Sequence, residues 1–225
     1  MILAQHDDET GDRPRSVDLT AGPMRARSRS VLAVLTGREQ MTTTIRPDDG
    51  LVAGAQIDGV RLVPLDRHED ARGSFTEIFC SHWDSGIDPT QWSLVRSAPG
   101  VLRGMHVHVR HDEYVMVISG RMSVGLHDLR PESPTAGVGA VYELHAESNA
   151  FLSFPRGLVH GWLAHETTVH VQAVSEAHEF YGADDNNGCH WSDPELAIDW
   201  PFEPTSVSAR AEAFPSVAEL RRRLY

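Results

Sequence analysis

An all-β protein with two packed sheets or a closed barrel is the architecture that this 225-residue sequence indicates. From about residue 55 onwards, short runs of alternating apolar and polar residues recur, with Gly, Pro, Asp and Asn between them. Helical periodicity is almost absent from the same region. Short strands separated by frequent turns are typical of β-sandwiches and barrels. A chain of this length suits one domain with a sizeable core.

Eight runs are expected to be strands, in addition to a central motif described below. They are Gly59–Pro64, Ser74–Cys80, Gln91–Val95, Met122–Leu126, Ala140–Leu144, Ala150–Phe154, Gly161–Ala164 and Val169–Val174. The last segment, Ser216–Arg223, has helical spacing instead, and its arginines fall where they suit a helix C-terminus. We therefore expect a short C-terminal helix after the strands.

Residues 1–50 differ in composition from the rest, because they are polar, charged and rich in turn formers. We expect them to be a disordered N-terminal extension and residues 51–225 to form the folded domain. The one apolar patch in the extension, Val31–Leu35, is too short for the core of a secretory signal.

The net charge and the cysteine content limit the binding partners and the cellular compartment that we expect. The net charge of −12 argues against nucleic acid or an anionic membrane as a partner, and no apolar run approaches the length of a membrane span. Cys80 and Cys189 have neither metal-site nor redox-motif spacing, so we expect reduced thiols in a cytoplasmic protein.

The chemistry-bearing stretch is Gly100–Gly120, GVLRGMHVHVRHDEYVMVISG. His106 and His108 are two residues apart, so on a strand their side chains leave the same face. Glu113 opens the apolar run that follows, which we expect to form the antiparallel neighbour of that strand. The two imidazoles and the carboxylate then converge on one metal ion or one substrate.

A second motif, PRGLVH ending at His160, places a further histidine after a turn. Together the two stretches resemble the cupin superfamily, whose motifs are G-x5-HxH-x4-E-x6-G and PxGxxH. The resemblance implies a cupin jelly roll. The expected metal ligands are His106, His108, Glu113 and His160. Three imidazoles and one carboxylate suit zinc, manganese, iron or nickel, and the sequence does not choose among them.

A narrower resemblance covers Gly59 to Pro215. The strings that carry it are DARGSFTE from Asp70, SAPGVLRGMH from Ser97, DLRPESPTAG from Asp128, PRGLVHG from Pro155, WSDP from Trp191 and AIDWP from Ala197. In order and spacing they resemble the dTDP-4-dehydrorhamnose 3,5-epimerase family. The resemblance implies a homodimeric jelly roll without metal that inverts carbons 3 and 5 of a nucleotide-linked 4-keto-6-deoxyhexose. In this reaction a histidine base removes a proton made acidic by the ketone, and a tyrosine acid returns one.

The resemblance also implies roles for individual residues. His106 takes the place of the general base, and His160 that of a second catalytic histidine. The implied substrate contacts are Arg72, Phe75, Glu77, Gln91 and Arg103.

Three family residues are replaced. Glu113 stands where the family has a lysine, and Ser175 stands where it has the acid tyrosine, although Tyr181 is close by in sequence. Ala211 takes the place of the aspartate that partners the base, with Glu212 beside it. A divalent ion would polarise a ketone as the lysine does, but a metal-bound nitrogen cannot also be a base, so His106 has one role or the other.

Three functions therefore stay open at this stage. One is a sugar-nucleotide epimerase or isomerase, which the retained DARGSFTE string favours. The second is a metal-dependent cupin enzyme that acts on another small, oxygen-rich molecule, and the third is a non-catalytic sugar-binding relative. The remaining histidines, including His111, are expected to be surface or structural, and Asp184–Asn187 a solvated loop.

Overall fold

The computed structural model describes residues 56–182 and 184–225, so the expectation for residues 1–50 lies outside the described residues. The strands are β1 Arg61–Pro64, β2 Arg67–Asp70, β3 Gly73–Thr76, β4 Gln91–Ser97, β5 Val101–Val107, β6 Glu113–Ser119, β7 Arg121–Asp128, β8 Gly139–His145, β9 Ala150–Phe154, β10 Leu158–Ala164, β11 Thr168–Val174, β12 Asn187–Gly188 and β13 Ser206–Val207. The α-helices are α1 His178–Tyr181, α2 Ala209–Glu212 and α3 Val217–Leu224.

Two sheets pack against each other. The first has the strand order β1-β9-β6-β11-β4, and the second has the order β12-β5-β10-β7-β8, with β13 added in parallel to β5. The hairpin of β2 and β3 is separate from both. The prediction of an all-β jelly roll, a double-sheet β-sandwich with a short C-terminal helix, is confirmed.

The core lies between the two sheets. The first sheet contributes Val115 and Leu152, and the second contributes Val124 and Leu126, all with no exposed surface. Each such side chain stabilises the fold by roughly 1.5–3 kcal/mol through burial. Apolar and polar residues therefore alternate along these strands because one face of each strand lies against this shared interior.

The C-terminal segment covers the outside of the second sheet. Ser216 and Glu219 form a reciprocal capping box that starts α3. Val217 and Leu220 of this helix are buried against Met105 and other side chains of the second sheet. None of the helices in the described part of the chain has the length and apolar character needed to cross a membrane.

The strands β5 and β10 approach each other unusually closely beside the central motif. A Cβ atom on Gly104 would lie 2.6 Å from the Cα of Gly161, which leaves no room for a side chain at either position. The pairing register sets His106 opposite His160, with an irregularity between His160 and Trp162. The two glycines thus allow the backbones to bring both histidines side by side.

Two strand expectations need correction. Strand β6, which begins at Glu113, is not the neighbour of β5, because it pairs with β9 and β11 in the opposite sheet. Residues 108–112 carry the chain from one sheet to the other, so Glu113 faces the histidines across the sandwich. The run Ser74–Cys80 is a strand only as far as Thr76, since its partner β2 has four residues.

Candidate functional site

A buried carboxylate, that of Glu113, stands at the centre of a group of imidazoles. Its Oε1 atom lies 3.1 Å from Nε2 of His160, 3.3 Å from Nε2 of His108 and 3.8 Å from Nε2 of His111. Its other oxygen accepts a hydrogen bond of 2.8 Å from Gln172 Nε2. His108, His111, Glu113 and His160 are all buried. We call these four residues the histidine cluster.

Each histidine of the cluster has a polar partner on its far side. Nδ1 of His108 lies 2.5 Å from the carbonyl oxygen of Asp185, and Nδ1 of His160 lies 3.1 Å from that of Leu158. Because a carbonyl oxygen only accepts, each Nδ1 carries a proton and each Nε2 faces the carboxylate. Nδ1 of His111 lies 3.2 Å from Asp185 Oδ2, although the two groups do not align as a hydrogen bond.

Asp185 differs from the solvated position expected for its loop. Its side chain accepts hydrogen bonds from the backbone N–H groups of Val109 at 2.7 Å and Arg110 at 3.0 Å, and only 1% of the residue is exposed. His111 likewise is not at the surface, since it is 1% exposed and belongs to the cluster. Neither residue is among the sequence-predicted site residues.

His106 sits apart from the carboxylate. Its ring centroid is 6.4 Å from that of His108 and 6.3 Å from that of His160, and Phe214 packs edge-on against it at 5.7 Å. Among residues 56–182 and 184–225, no carboxylate oxygen lies within 4 Å of its nitrogens. Of the four expected metal ligands, the structure therefore brings His108, Glu113 and His160 together and leaves His106 outside.

Burial and neighbouring charges determine the protonation of the site. Burial lowers the pKa of His106 to about 3, with further lowering by His160 and His108, and burial lowers the pKa of His108 to about 4. Burial raises the pKa of Glu113, but the surrounding histidines lower it more, and the net shift is downward. Burial lowers the pKa of His160, yet Glu113 reverses this and the net shift is upward. At neutral pH the carboxylate is ionised, and His106 and His108 are neutral.

Tyr181 is the tyrosine that touches the cluster. Its ring stacks on His111 with centroids 4.3 Å apart, and burial raises its pKa, so the phenol is protonated at neutral pH. Ser175, at the position where the family resemblance places a tyrosine, accepts a hydrogen bond of 2.9 Å from the backbone N–H of Asp112.

The expected partner of His106 is also absent. Ala211 is buried, and the neighbouring Glu212 lies 3.4 Å from Nε2 of His190 rather than beside His106. In the described residues no other acidic side chain takes its place at His106. The imidazolium formed by proton abstraction would have no adjacent carboxylate.

The expected substrate contacts divide into two groups. Arg103 is exposed on β5 and donates to Ser97 Oγ and Arg96 O, and Gln91 on β4 accepts from the backbone N–H of His178. Arg72, Phe75 and Glu77 lie on or beside the exposed hairpin β2–β3.

Within that hairpin Arg72 pairs with Asp70, and Phe75 is 64% exposed. In the described part of the chain the hairpin makes no hydrogen bond, ion pair or ring contact with the histidine cluster or with His106. The roles of all five substrate contacts stay predictions.

Comparison with known proteins identifies the relatives of this chain. The family described as dTDP-4-dehydrorhamnose 3,5-epimerase matches residues 54–219. The spore coat polysaccharide biosynthesis protein SpsL of Bacillus subtilis is 29% identical over 148 residues, which are 65% of this chain and 98% of SpsL. The dTDP-4-dehydrorhamnose 3,5-epimerase of Sinorhizobium fredii is 29% identical over 185 residues, 77% of this chain and 92% of the relative.

Solved structures agree with the sequence comparison. ChmJ, a 3'-monoepimerase from Streptomyces bikiniensis in complex with dTDP-quinovose, superposes with a TM-score of 0.67 at 27% identity. The superposition covers 76% of this chain and 89% of ChmJ.

Proposed function

Because this chain belongs to the dTDP-4-dehydrorhamnose 3,5-epimerase family, we propose that it inverts a carbon next to the ketone of a nucleotide-linked 4-keto-6-deoxyhexose. The family match spans most of the domain, from residue 54 to residue 219. One relative is named for this reaction, and a similar structure contains a dTDP-sugar. A dTDP-linked sugar is accordingly the first substrate to test.

The observation that carries the proposal is the environment of His106. This imidazole is neutral, lies beside the buried cluster and keeps its nitrogens free of carboxylates. A neutral imidazole has the lone pair that a general base needs. His106 takes the proton from carbon 3 or carbon 5, whose C–H bonds the adjacent ketone acidifies, and His160 is its neighbour across β5 and β10.

Tyr181 supplies the proton that returns to the carbanion carbon. The other three tyrosines lie elsewhere: Tyr114 and Tyr142 are buried in the sheets, and Tyr225 follows α3 near Arg130 and Asp128. Protonation of the Tyr181 phenol at neutral pH suits a general acid. The low proton affinity of His106 and its lack of a carboxylate partner predict slow turnover.

A homodimer in the cytoplasm is part of the proposal. The hairpin β2–β3 has almost no buried residue, yet it carries Arg72 and Phe75. Such a hairpin reaches a sugar nucleotide most simply in a second copy of the chain, where Arg72 would hold the diphosphate bidentately. Light scattering tests this, since a monomer at working concentration contradicts the homodimer. Arg103 and Gln91 are the proposed contacts from the same chain.

The experiment that tests the reaction is hydrogen exchange. A dTDP-linked 4-keto-6-deoxyhexose is incubated with the protein in deuterium oxide, and NMR follows deuterium at carbons 3 and 5. We expect slow exchange, at one carbon or both, that His106→Ala abolishes. The matched control is His145→Ala on β8, which removes a histidine that pairs with exposed Glu147 away from the cluster. This control should leave the exchange rate unchanged.

The results separate the alternatives that the sequence leaves open. Exchange that survives in His106→Ala would contradict its role as the base. No exchange with any 4-keto sugar nucleotide, with or without added divalent metal, would overturn the epimerase proposal. In that case a metal-dependent enzyme for another oxygen-rich molecule or a non-catalytic sugar-binding protein would replace it.

A further inference from the structure

We propose that His108, His111, Glu113 and His160 bind one divalent transition-metal ion and that His106 stays outside this site. The assignment rests on the geometry of the histidine cluster alone, so it does not depend on the proposed function. It differs from the ligand set that the sequence motif predicts, because His111 replaces His106.

The spacing of the ligand atoms suits a single ion. Two atoms that each lie about 2.0–2.1 Å from a tetrahedral zinc ion are about 3.3–3.4 Å from each other. The three distances from Glu113 Oε1 to the imidazole Nε2 atoms are 3.1, 3.3 and 3.8 Å. The ligand atoms of His108, His111 and Glu113 all lie within 4.8 Å of one another. His160 is outside that group of three and reaches the site through Glu113 Oε1.

The nitrogen and oxygen atoms of the histidine cluster carry more lone pairs than there are hydrogen-bond donors to pair with them. Nε2 of His111 and Oε1 of Glu113 are completely buried and form no hydrogen bond with another described residue. Since Nδ1 of His108 faces the carbonyl oxygen of Asp185, the lone pair of its Nε2 atom faces the carboxylate oxygen. Buried polar atoms without partners destabilise a folded protein. A divalent cation would satisfy all of these electron pairs together.

The surroundings hold the ligands in orientations that suit metal binding. Metal-binding histidines usually direct their second nitrogen to a backbone oxygen or a carboxylate, which fixes the ring. Asp185 lies behind two of the rings, with its carbonyl oxygen near His108 and its carboxylate near His111. Gln172 binds Oε2 of Glu113 and so turns Oε1 towards the imidazoles. Asp185 and Gln172 are positioning residues in this proposal.

The ligand chemistry limits the identity of the ion. Three imidazoles and one carboxylate suit zinc, manganese, iron or nickel, whereas magnesium and calcium prefer all-oxygen sites. The four protein ligands include one from each sheet, Glu113 on β6 and His160 on β10. An ion there would therefore also fasten the two sheets together at this edge.

A consequence for catalysis rests on the proposed function. With His111 rather than His106 in the ligand set, the same pocket can hold an ion and keep a free base. The ring centroids of His106 and His108 are 6.4 Å apart. His106 would then still take the proton with the ion in place.

The test uses full-length protein without a histidine tag, stripped with a chelator and titrated with Co²⁺ or Zn²⁺. Bound metal is counted by mass spectrometry, Co²⁺ is followed by its visible absorption, and thermal unfolding is measured with and without metal. We expect one ion per chain and a higher unfolding temperature with metal. His106→Ala should keep the ion. His111→Ala and the isosteric Glu113→Gln should weaken binding by more than the roughly 10–100-fold that loss of an outer-shell partner costs.

The ligand assignment can be overturned in three ways. Wild-type protein that binds no ion after reconstitution refutes the site, and so does Glu113→Gln with unchanged affinity. Loss of the ion in His106→Ala, with retention in His111→Ala, restores the motif's ligand set. If His111→Ala does not fold, His111→Gln still decides, because the proposal requires the His111 imidazole as a ligand and the motif's set does not. None of these measurements uses activity, so failure of the metal site and failure of the epimerase proposal are distinguishable.

Discussion

Asp128, the last residue of β7, is the most heavily bonded carboxylate of the second sheet. Its side chain is fully buried beside the partly exposed Arg130. Arg130 donates to both oxygens at 2.8 Å, and the hydroxyls of Ser133 and Thr135 each donate to Oδ2 at 2.6 Å. Burial raises the pKa of this carboxyl, but these bonds lower it to about 2. The ionised form therefore organises the loop that follows β7.

The shift sets the size and the sign of the expected effect. An unfolded aspartate has a pKa of about 3.9, and each pKa unit corresponds to about 1.36 kcal/mol. The ionised Asp128 thus stabilises the fold by about 2–3 kcal/mol at pH 7. Because the folded pKa is depressed, this contribution is fully present above the unfolded pKa and is lost as the pH falls towards 2. About half of it remains at pH 3.

The assay is urea unfolding of wild type and Asp128→Asn, followed by tryptophan fluorescence at pH 7 and pH 3. The control is Glu132→Gln, which removes the same charge from the same loop at an exposed residue without a hydrogen bond or ion pair in the described structure. We expect Asp128→Asn to lose about 2–3 kcal/mol at pH 7 and clearly less at pH 3, and the control to change by less than about 0.5 kcal/mol. Equal losses in both variants, or a loss independent of pH, would refute the reasoning.

Three further predictions concern the site. In Gly161→Ala the added methyl group would lie 2.9 Å from the backbone oxygen of Arg103 on β5, so the unfolding free energy should fall by about 1–3 kcal/mol. An unchanged urea midpoint contradicts the close approach of β5 and β10. Tyr181→Phe keeps the aromatic ring and removes the phenol hydroxyl that acts as the general acid. The rate of epimerisation should therefore fall by about 10²–10⁴-fold with little change in KM. A wild-type rate would exclude Tyr181 as the proton donor. Asp185→Asn removes the negative charge that faces His111, so the affinity of the protein for Co²⁺ should fall by about 10–100-fold. An unchanged Kd for Co²⁺ would show that Asp185 does not orient the ligands.

Alternation located most of the strands because one face of each lies against the shared core. The prediction for Ala150–Phe154 agrees with β9 to the residue, and Met122–Leu126 is extended at both ends in β7. Strand β2, Arg-His-Glu-Asp, had no such signal because all four residues are exposed. Two-residue strands such as β12 also leave no detectable period, since they exist only through pairing with β5.

The sequence pattern shows where a strand lies along the chain, but it does not show which of the two sheets that strand joins. Strands β5 and β6 are consecutive and separated by five residues, which favours a hairpin on sequence grounds alone. Apolar spacing shows which residues point inward, but inward-facing residues look the same in both sheets of a sandwich. The crossing at residues 108–112 is therefore visible only in the fold.

The same crossing explains which site residues the sequence found. Glu113 and His160 open or occupy regular strands and carry the motif spacing, so their convergence was predictable. His111 lies in the crossing segment, where strand parity does not apply. Its one available signal is that it is the third histidine within residues 106–111, just before Glu113. Asp185 is 77 residues from His108 in sequence. No local pattern indicates that long-range contact.

The end of β5 at Val107 accounts for the divided roles of His106 and His108. Residues two apart share a face only while the strand continues. His106 is the last histidine inside the strand, where it pairs with His160 and Gly188, whereas His108 follows the strand and turns its ring towards Asp185. In the two proposals His108 therefore binds the ion and His106 remains a base. His108→Ala should lose bound metal and thermal stability together, whereas His106→Ala should lose proton exchange and keep the metal. Loss of metal in both variants would show that the strand end does not separate the two histidines.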